Sequence, residues 1–446
     1  MWVQIACIIL VGYLSLSRPF AYLGLPAWKI FVGEVLLVCF LLCGPRVGNQ
    51  SWIRFTMRLQ SLRKFWVSYS LFFIYGICEV LYGIVQGRPV LMCIRDLAFQ
   101  YYPLYFLLGL WVGVKRPDLL PKVIRSFAWF NGIYGVLYIL FFSRVQWFMP
   151  GVSDEVSPVA VFAEPLYSFV ALLGLMVFDK QPLRSWYLLL LNGFVLLGMQ
   201  FRTEWLALLV GAITWCFVTH RARQVLQTGG VLLLLFGVLY VTNLSIPSPE
   251  GRAESDFSAR QTVDRAVAPF RADLTDTSAA AGITTVDSQE ATFLFRTVWW
   301  LAIWEASHEN VRSALLGQGY GYELGDLVPY LKDHFIRTPH NALFYALGYT
   351  GWIGVFLFVF FQAEVVRLLW RARNNAAEPF GIALWAAMMT LAMFFPLGET
   401  PYGAIPFFLL IGMAAGKGVH AELSLQEVSR SAGSGELILR PGHATT

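Results

Sequence analysis

The sequence predicts an all-α integral membrane protein, a polytopic bundle of about twelve transmembrane helices with one large water-exposed loop. Of its 446 residues, 57% are hydrophobic and only 14% are charged, whereas soluble domains carry about 25% charged residues. The apolar residues also fall into repeated runs of roughly 15 to 22, close to the length that crosses a bilayer as a helix. These two properties argue against a water-soluble fold.

The apolar runs divide the chain into four regions. The first nine predicted spans lie within residues 1–246, a large loop occupies 247–339, the last three spans lie within 340–416, and a polar tail covers 417–446. We expect the tail to be disordered in the cytoplasm. The predicted spans are 2–16, 26–43, 65–85, 98–114, 123–142, 159–178, 187–200, 205–219, 229–246, 340–361, 380–395 and 402–416.

Charge and cysteine placement limit the function further. Basic residues concentrate in every second linker, and the positive-inside rule assigns those linkers to the cytoplasm and the large loop to the opposite side. The net charge of +5 is spread over these short clusters, so no nucleic-acid partner is expected. The cysteines lie in or beside apolar runs without disulfide or metal-ligand spacing, so we expect neither redox chemistry nor a metal site.

The large loop has two parts of different character. Pro247 to Glu290 is rich in Ser, Thr, Ala, Asp and Pro, a composition typical of an irregular segment. Phe293 to Trp304 is strongly apolar but too short to span a membrane, so we predict a helix that lies at the interface or re-enters the bundle.

Two arginines stand where the orientation rule or the apolar surroundings disfavour a positive charge. Arg202 occupies a short non-cytoplasmic turn, and Arg296 interrupts the apolar stretch FLFRTVWW. Each could reach the headgroups, and Arg202 could pair with Glu204, as arginines at span ends commonly do. The alternative is an anion clamp, because the guanidinium fork suits a phosphate and an uncompensated buried charge is costly.

A histidine and several acids complete the candidate residues. His340 follows Pro339 at the start of a span, where it could cap the helix or take a proton from a hydroxyl nucleophile. Ionisable residues near spans are functional hypotheses by default, although pairing with arginine is the common structural explanation. The acids of this kind are Glu34, Glu79, Glu164 and Glu399.

The segment LLGQGYGYE, with Gly317, Gly319 and Gly321, superficially matches a dinucleotide-binding loop. No strand precedes it and no acid follows at the required distance, so we reject that motif. A tight turn is the expected structure.

Taken together, Arg296 with Trp300, the glycine-rich turn, and His340-Asn341 before a span with Gly351 resemble the O-antigen ligase and Wzy-type polymerase family of bacterial envelope glycosyltransferases. Arg202 resembles the other arginine position of that family. The similarity covers the architecture of the whole chain, whereas the motifs cover about 70 residues. The segment FAEPLYSF is more similar to exopolysaccharide polymerases than to lipid A-core ligases.

The resemblance implies a GT-C-like bundle in the bacterial inner membrane that transfers glycan from an undecaprenyl-pyrophosphate-linked donor to an acceptor sugar hydroxyl at the periplasmic face. It implies no metal or other cofactor, pyrophosphate binding by Arg202 and Arg296, and a base or acceptor-positioning role for His340. Supporting candidates are Asn341, Glu164, Arg95 and Glu399. The implied partners are the lipid-linked oligosaccharide donor, a glycan or lipid-linked acceptor, membrane lipids and, more loosely, a chain-length regulator.

Three alternatives stay open. A lipid A-core O-antigen ligase would use the same site, and a peptidoglycan polymerase of the shape, elongation and division type would depend on an acid such as Glu399 or Asp333. A lipid-linked glycan flippase or transporter would use acids inside spans, such as Glu34 and Glu79, to line a pathway.

Overall fold

The computed structural model confirms a predominantly helical chain with little sheet. It describes all residues except 26–29, 48, 146, 150–158, 180–181, 245–257, 261–262, 264–288, 329–337, 372–376 and 434–446. Most of the predicted irregular part of the large loop, Asp333, and the end of the tail therefore lie outside the described residues.

Within the described residues, the α-helices follow the apolar runs. They are α1 (Trp2–Ala21), α2 (Val32–Cys43), α3 (Trp52–Arg58), α4 (Arg63–Val85), α5 (Val90–Asp96), α6 (Ala98–Tyr101), α7 (Tyr105–Lys115), α8 (Leu119–Leu140), α9 (Ser168–Phe178), α10 (Trp186–Gly198), α11 (Arg202–Thr219), α12 (Ala222–Thr242), α13 (Gln289–His308), α14 (Val311–Leu316), α15 (Ala342–Arg371), α16 (Ala377–Ala392) and α17 (Pro401–Gly433). Two antiparallel hairpins of two-residue strands flank α2: β1 (Gly24–Leu25) with β2 (Ile30–Phe31), and β3 (Arg46–Val47) with β4 (Gln50–Ser51).

Seven helical stretches among the described residues are long and apolar enough to cross a membrane. They are Trp2–Ala21, Gln60–Val85, Val90–Lys115, Leu119–Leu140, Ala222–Thr242, Ala342–Arg371 and Pro401–His420. Four shorter apolar helices, Val32–Cys43, Ser168–Phe178, Trp186–Gly198 and Pro379–Ala392, fall below that length. The chain is thus a multi-pass membrane protein by length and composition, and the total of twelve spans stays a prediction.

Helices α7 and α17 pack closely at the centre of the bundle because glycines face each other. Gly109 and Gly113 on α7 lie against backbone atoms of α17, and Gly412 and Gly416 on α17 lie against backbone atoms of α7. A Cβ at any of the four would approach a carbonyl oxygen of the other helix to 2.2–2.6 Å. Small residues spaced by four are the usual basis of close helix contact in membranes.

Two predicted boundaries were wrong. The run 159–178 becomes helical only from Ser168, because Pro165 disfavours helical backbone at the residue before it and removes an amide donor. The tail was expected to be disordered from residue 417, but α17 continues to Gly433. Residues 418–433 include Ala, Glu, Leu and Gln, which favour helix, and no proline.

Helix α15 is bent sharply at Gly351, where φ is 62° and ψ is −167°. We call residues 342–350 the short arm and residues 352–371 the long arm. The ring of Phe99 lies 5.2 Å from that of Tyr345 and 4.8 Å from that of Phe358, although a straight helix would separate those two Cα atoms by about 20 Å. The short arm therefore folds back over the long arm, and only the long arm has the length of a span.

The last carbonyl groups of the short arm accept hydrogen bonds from the glycine-rich turn and from Tyr75. The amide of Gln318 donates to the carbonyl of Gly348, that of Gly319 donates to Tyr349, and the hydroxyl of Tyr75 donates to Thr350, each at 2.8 Å. These are carbonyls that a break in a helix leaves without partners, a costly state away from water.

The predicted tight turn is confirmed, since Gly317, Gly319 and Gly321 have φ values of 69°, 81° and 80°. Arg88, in the turn between α4 and α5, holds it by donating to the carbonyls of Gly319 and Tyr320 at 2.7 and 3.2 Å.

Candidate functional site

The candidate site is built where three elements begin or cross: the first turn of α11, the middle of α13, and the start of the short arm. Arg202 is the first residue of α11, Arg296 lies within α13, and His340 precedes the short arm by two residues. The predicted interfacial helix Phe293 to Trp304 is present as part of α13. Its depth relative to a membrane stays a prediction.

The charges of these residues act on one another. The pKa of the Arg296 guanidinium is lowered mainly by burial and to a smaller extent by the charge of Arg202. The pKa of His340 is lowered to about 4, mainly by burial and to a smaller extent by the charge of Arg296. Because interactions between charges weaken with distance, these couplings indicate that the three residues predicted from sequence lie near one another, and we refer to them as the cluster.

The cluster brings positive charges near one another. Within the described part of the chain, Arg202 is the charged group that shifts the pKa of Arg296, and no carboxylate is among the causes of that shift. The helix dipole adds to the same sign, since the short arm begins directly after His340 and Asn341 and a helix N-terminus is electropositive. A buried guanidinium beside a second one is costly without an anion, so the arrangement is suited to a multiply charged anionic ligand.

His340 is held in a strained backbone conformation with one ring nitrogen available. Its φ is 51°, a left-handed value that is uncommon for a residue with a Cβ. The Nδ1 atom is buried and forms no hydrogen bond within the described residues. Strain of this kind is often retained at functional sites.

Asn341 has a structural role that the sequence did not predict. It is 7% exposed, and its Oδ1 accepts hydrogen bonds from the amides of Leu343 and Phe344 at 2.9 and 3.1 Å. This is an N-cap, which begins the short arm immediately after His340.

The supporting candidates are spread over different places. Glu164 lies in the non-helical segment before α9, next to Ala163, whose carbonyl accepts a hydrogen bond from the Tyr134 hydroxyl at 2.7 Å. Arg95 lies in the last turn of α5 with an exposed side chain. No contact in the described part of the chain joins Arg95 to Arg296 or His340, so the structure gives Arg95 no part in the cluster.

Glu399 lies in the segment between α16 and α17. Both of its carboxylate oxygens are buried without a hydrogen-bond partner on another described residue. Burial, and after it the nearby Asp96 carboxylate, raise its pKa to about 8. Glu399 is therefore protonated at neutral pH and does not neutralise the arginines.

Replacing Glu399 by glutamine is expected to stabilise the protein at alkaline pH. The folded pKa of about 8 exceeds the ordinary 4.5, so this group's contribution to stability is full below about pH 4.5 and is lost as the pH rises through 8. In detergent at pH 9, Glu399→Gln should melt several degrees above the wild type. At pH 5 the two proteins should melt at the same temperature. Equal melting temperatures at both pH values would show that this carboxyl titrates normally.

The sequence analysis did not single out Asp96, a buried acid between the glycine-rich turn and the short arm. Asp96, at the end of α5, accepts a hydrogen bond from the amide of Gly321 at 2.8 Å through Oδ2, and its carbonyl accepts one from the Tyr345 hydroxyl at 3.1 Å. It thus links the glycine-rich turn to the short arm. Its position next to the apolar run 98–114 was the feature of the sequence that could have indicated a buried acid.

Glu34 and Glu79, the acids proposed for a transport pathway, lie apart from the cluster, and Glu34 is held by tyrosines. Glu34 Oε1 accepts hydrogen bonds from the hydroxyls of Tyr102 at 2.6 Å and Tyr101 at 3.4 Å. Glu79 is 3% exposed within α4. Neither residue is joined to the cluster by a contact of the described residues.

No protein-family model matches the chain, and no curated protein matches it. The functional conclusion therefore depends on the geometry and chemistry of the cluster.

Proposed function

We propose that the protein is a membrane glycosyltransferase that moves a glycan from an undecaprenyl-pyrophosphate carrier to an acceptor sugar hydroxyl, at the periplasmic face of the bacterial inner membrane, in surface polysaccharide biosynthesis. The observation that carries the proposal is the partly buried Arg296, whose pKa is lowered by burial and by the charge of Arg202, and whose own charge lowers the pKa of His340. A lipid pyrophosphate supplies negative charge that would stabilise Arg296, and arginine binds such groups through paired hydrogen bonds.

The residues suit the bond changes of the reaction. The acceptor oxygen forms a bond to the anomeric carbon, the bond from that carbon to the pyrophosphate oxygen breaks, and the electron pair leaves with the lipid pyrophosphate. Negative charge grows on the leaving group, where Arg202 and Arg296 stabilise it more strongly than in the bound donor. The hydroxyl proton passes to the available nitrogen of His340, directly or through water.

The low pKa of His340 predicts an unusual pH profile. With a pKa of about 4, the imidazole of the free protein is neutral throughout the range of pH 5 to 8. The value of kcat/KM should therefore fall only below about pH 5. Bound pyrophosphate counteracts the charge of Arg296 and raises the pKa of His340, so the acid limb of kcat should lie at higher pH than that of kcat/KM. A kcat/KM limb near 6.5, the ordinary histidine value, would contradict this account.

The test of the function is reconstitution of the purified protein into vesicles that contain a lipid-linked glycan labelled in the sugar. The expected result is lengthened or transferred glycan together with released undecaprenyl pyrophosphate, without added metal. Arg202→Gln, Arg296→Gln and His340→Gln should insert normally and form little product. Full product formation by all three variants would refute the assignment of the site.

The same vesicles separate the competing functions. Polymerised repeats indicate a polymerase, which the similarity of FAEPLYSF favours, and transfer to added lipid A-core indicates an O-antigen ligase. Polymerised peptidoglycan glycan strands whose formation depends on Glu399 or Asp333 would indicate the shape, elongation and division type. Labelled lipid that changes leaflet without forming a glycosidic bond would indicate a flippase.

A further inference from the structure

The backbone on both sides of His340 is fixed by side-chain hydrogen bonds. On one side, Asn341 caps the short arm. On the other side, the indole Nε1 of Trp300 donates to the carbonyl of Pro339 at 2.7 Å. The left-handed conformation of His340 is therefore held between two anchored neighbours, and one of the anchors comes from α13.

The indole of Trp300 also fixes α13 against two other elements. Its ring is stacked on that of Phe344 in the short arm, with centroids 5.5 Å apart and planes 5° from parallel. A second contact, at 6.3 Å, joins it to Phe394 in the segment that leads to Glu399. Each such contact contributes modestly to stability, but the geometry it imposes is specific.

Trp300 lies four residues after Arg296 on α13, so both side chains project from the same face of the helix. Any rotation or sliding of α13 that breaks the contacts of Trp300 also moves the Arg296 guanidinium relative to His340. The side chain of Trp300 thus influences the positions of both Arg296 and His340.

We propose that Trp300 is a positioning residue that sets Arg296 and His340 at their working separation, through its hydrogen bond to Pro339 and its stacking on Phe344. The proposal rests on the proposed glycosyl transfer for its role in a reaction. Trp300 itself does not need to touch the donor or the acceptor.

The neighbouring tryptophan provides a matched control. Trp299 is fully buried, and its Nε1 donates to the carbonyl of Leu324 at 2.9 Å. Trp299→Phe therefore removes an indole hydrogen bond of the same kind from the same helix, but this bond ends at Leu324 and not at the residue before His340. Trp300→Phe keeps an aromatic ring next to Phe344 and removes the bond to Pro339.

In the reconstituted transfer assay, Trp300→Phe should lower kcat by roughly 10- to 100-fold, since a displacement of about 1 Å can cost that much. The KM for the donor should change less than about threefold, because the arginines are still present. Trp299→Phe should keep kcat within about twofold of the wild type while lowering the melting temperature by a similar amount to Trp300→Phe. Equal losses of kcat in both variants, or no loss in Trp300→Phe, would overturn the proposal.

A second measurement does not depend on turnover. In protein labelled with ¹⁵N-histidine, the His340 signal is assigned by its absence in His340→Gln and titrated in each background. We expect Trp300→Phe to raise the pKa of His340 towards its ordinary value, because the released segment gains water and distance from Arg296, and we expect Trp299→Phe to leave it unchanged. If the pKa of His340 is unchanged in Trp300→Phe, positioning by Trp300 is refuted. If the pKa shifts as expected but the wild type transfers no glycan, only the proposed function is refuted.

Discussion

Replacing Arg296 by glutamine is expected to lower kcat/KM for glycan transfer by about 10²- to 10³-fold, the usual effect of removing one group that stabilises developing charge. The guanidinium is partly buried near Arg202 and His340, so its loss would leave Arg202 as the one arginine of the cluster that stabilises the leaving pyrophosphate. Initial rates of product release from vesicles, measured over a range of donor concentrations, separate the loss in kcat from that in KM.

Arg312 gives a control for the loss of a positive charge as such. It lies on α14, its side chain is exposed, and its guanidinium lies 4.8 Å from the ring centre of Tyr82. Arg312→Gln should retain transfer within about twofold of the wild type, as is usual for a surface substitution. If Arg296→Gln were as active as Arg312→Gln, the arginine cluster would not be the site of leaving-group stabilisation.

Replacing Gly351 by alanine is expected to destabilise the fold by at least about 3 kcal/mol, combining backbone strain with steric overlap. The residue has φ of 62°, and an added Cβ would lie 2.4 Å from the carbonyl of Leu315 and 2.6 Å from the amide of Gly317. These are backbone atoms that cannot turn aside. The variant should give little monodisperse protein in detergent, with a clearly lower melting temperature.

Gly230→Ala, on α12, is the matched control, because no atom lies within 4 Å of the added Cβ and alanine favours helix over glycine. It should melt at or slightly above the wild-type temperature. A Gly351→Ala variant that folds and melts like Gly230→Ala would show that the close approach of the glycine-rich turn to the bend is dispensable.

The sequence was sufficient to predict the fold class, because length and composition alone make a helical bundle the favourable state for such apolar runs. It was not sufficient to predict the bend at Gly351. A glycine in an apolar helix equally serves close packing, as Gly109 and Gly412 do, and the two cases differ only in contacts with Gly317, which is distant in sequence.

The candidate residues Arg202, Arg296 and His340 could be predicted because each has a charge or a titratable ring where the surroundings make it costly. Asp96 and Trp300 escaped functional assignment for the opposite reason. A tryptophan in an apolar segment is unremarkable, and only the hydrogen bond from Trp300 to Pro339 reveals a role. The cap formed by Asn341 likewise depends on where the short arm begins, which the apolar pattern does not specify.

The most direct test of the central claim, that Arg202 and Arg296 together bind a lipid pyrophosphate, is the affinity of the protein in nanodiscs for undecaprenyl pyrophosphate. The wild type should bind it more tightly than undecaprenyl monophosphate, and Arg202→Gln and Arg296→Gln should each weaken binding at least about tenfold, as loss of a buried charge partner does. Arg312→Gln should bind as the wild type does. Equal affinity of the wild type and both cluster variants for the pyrophosphate would contradict the claim.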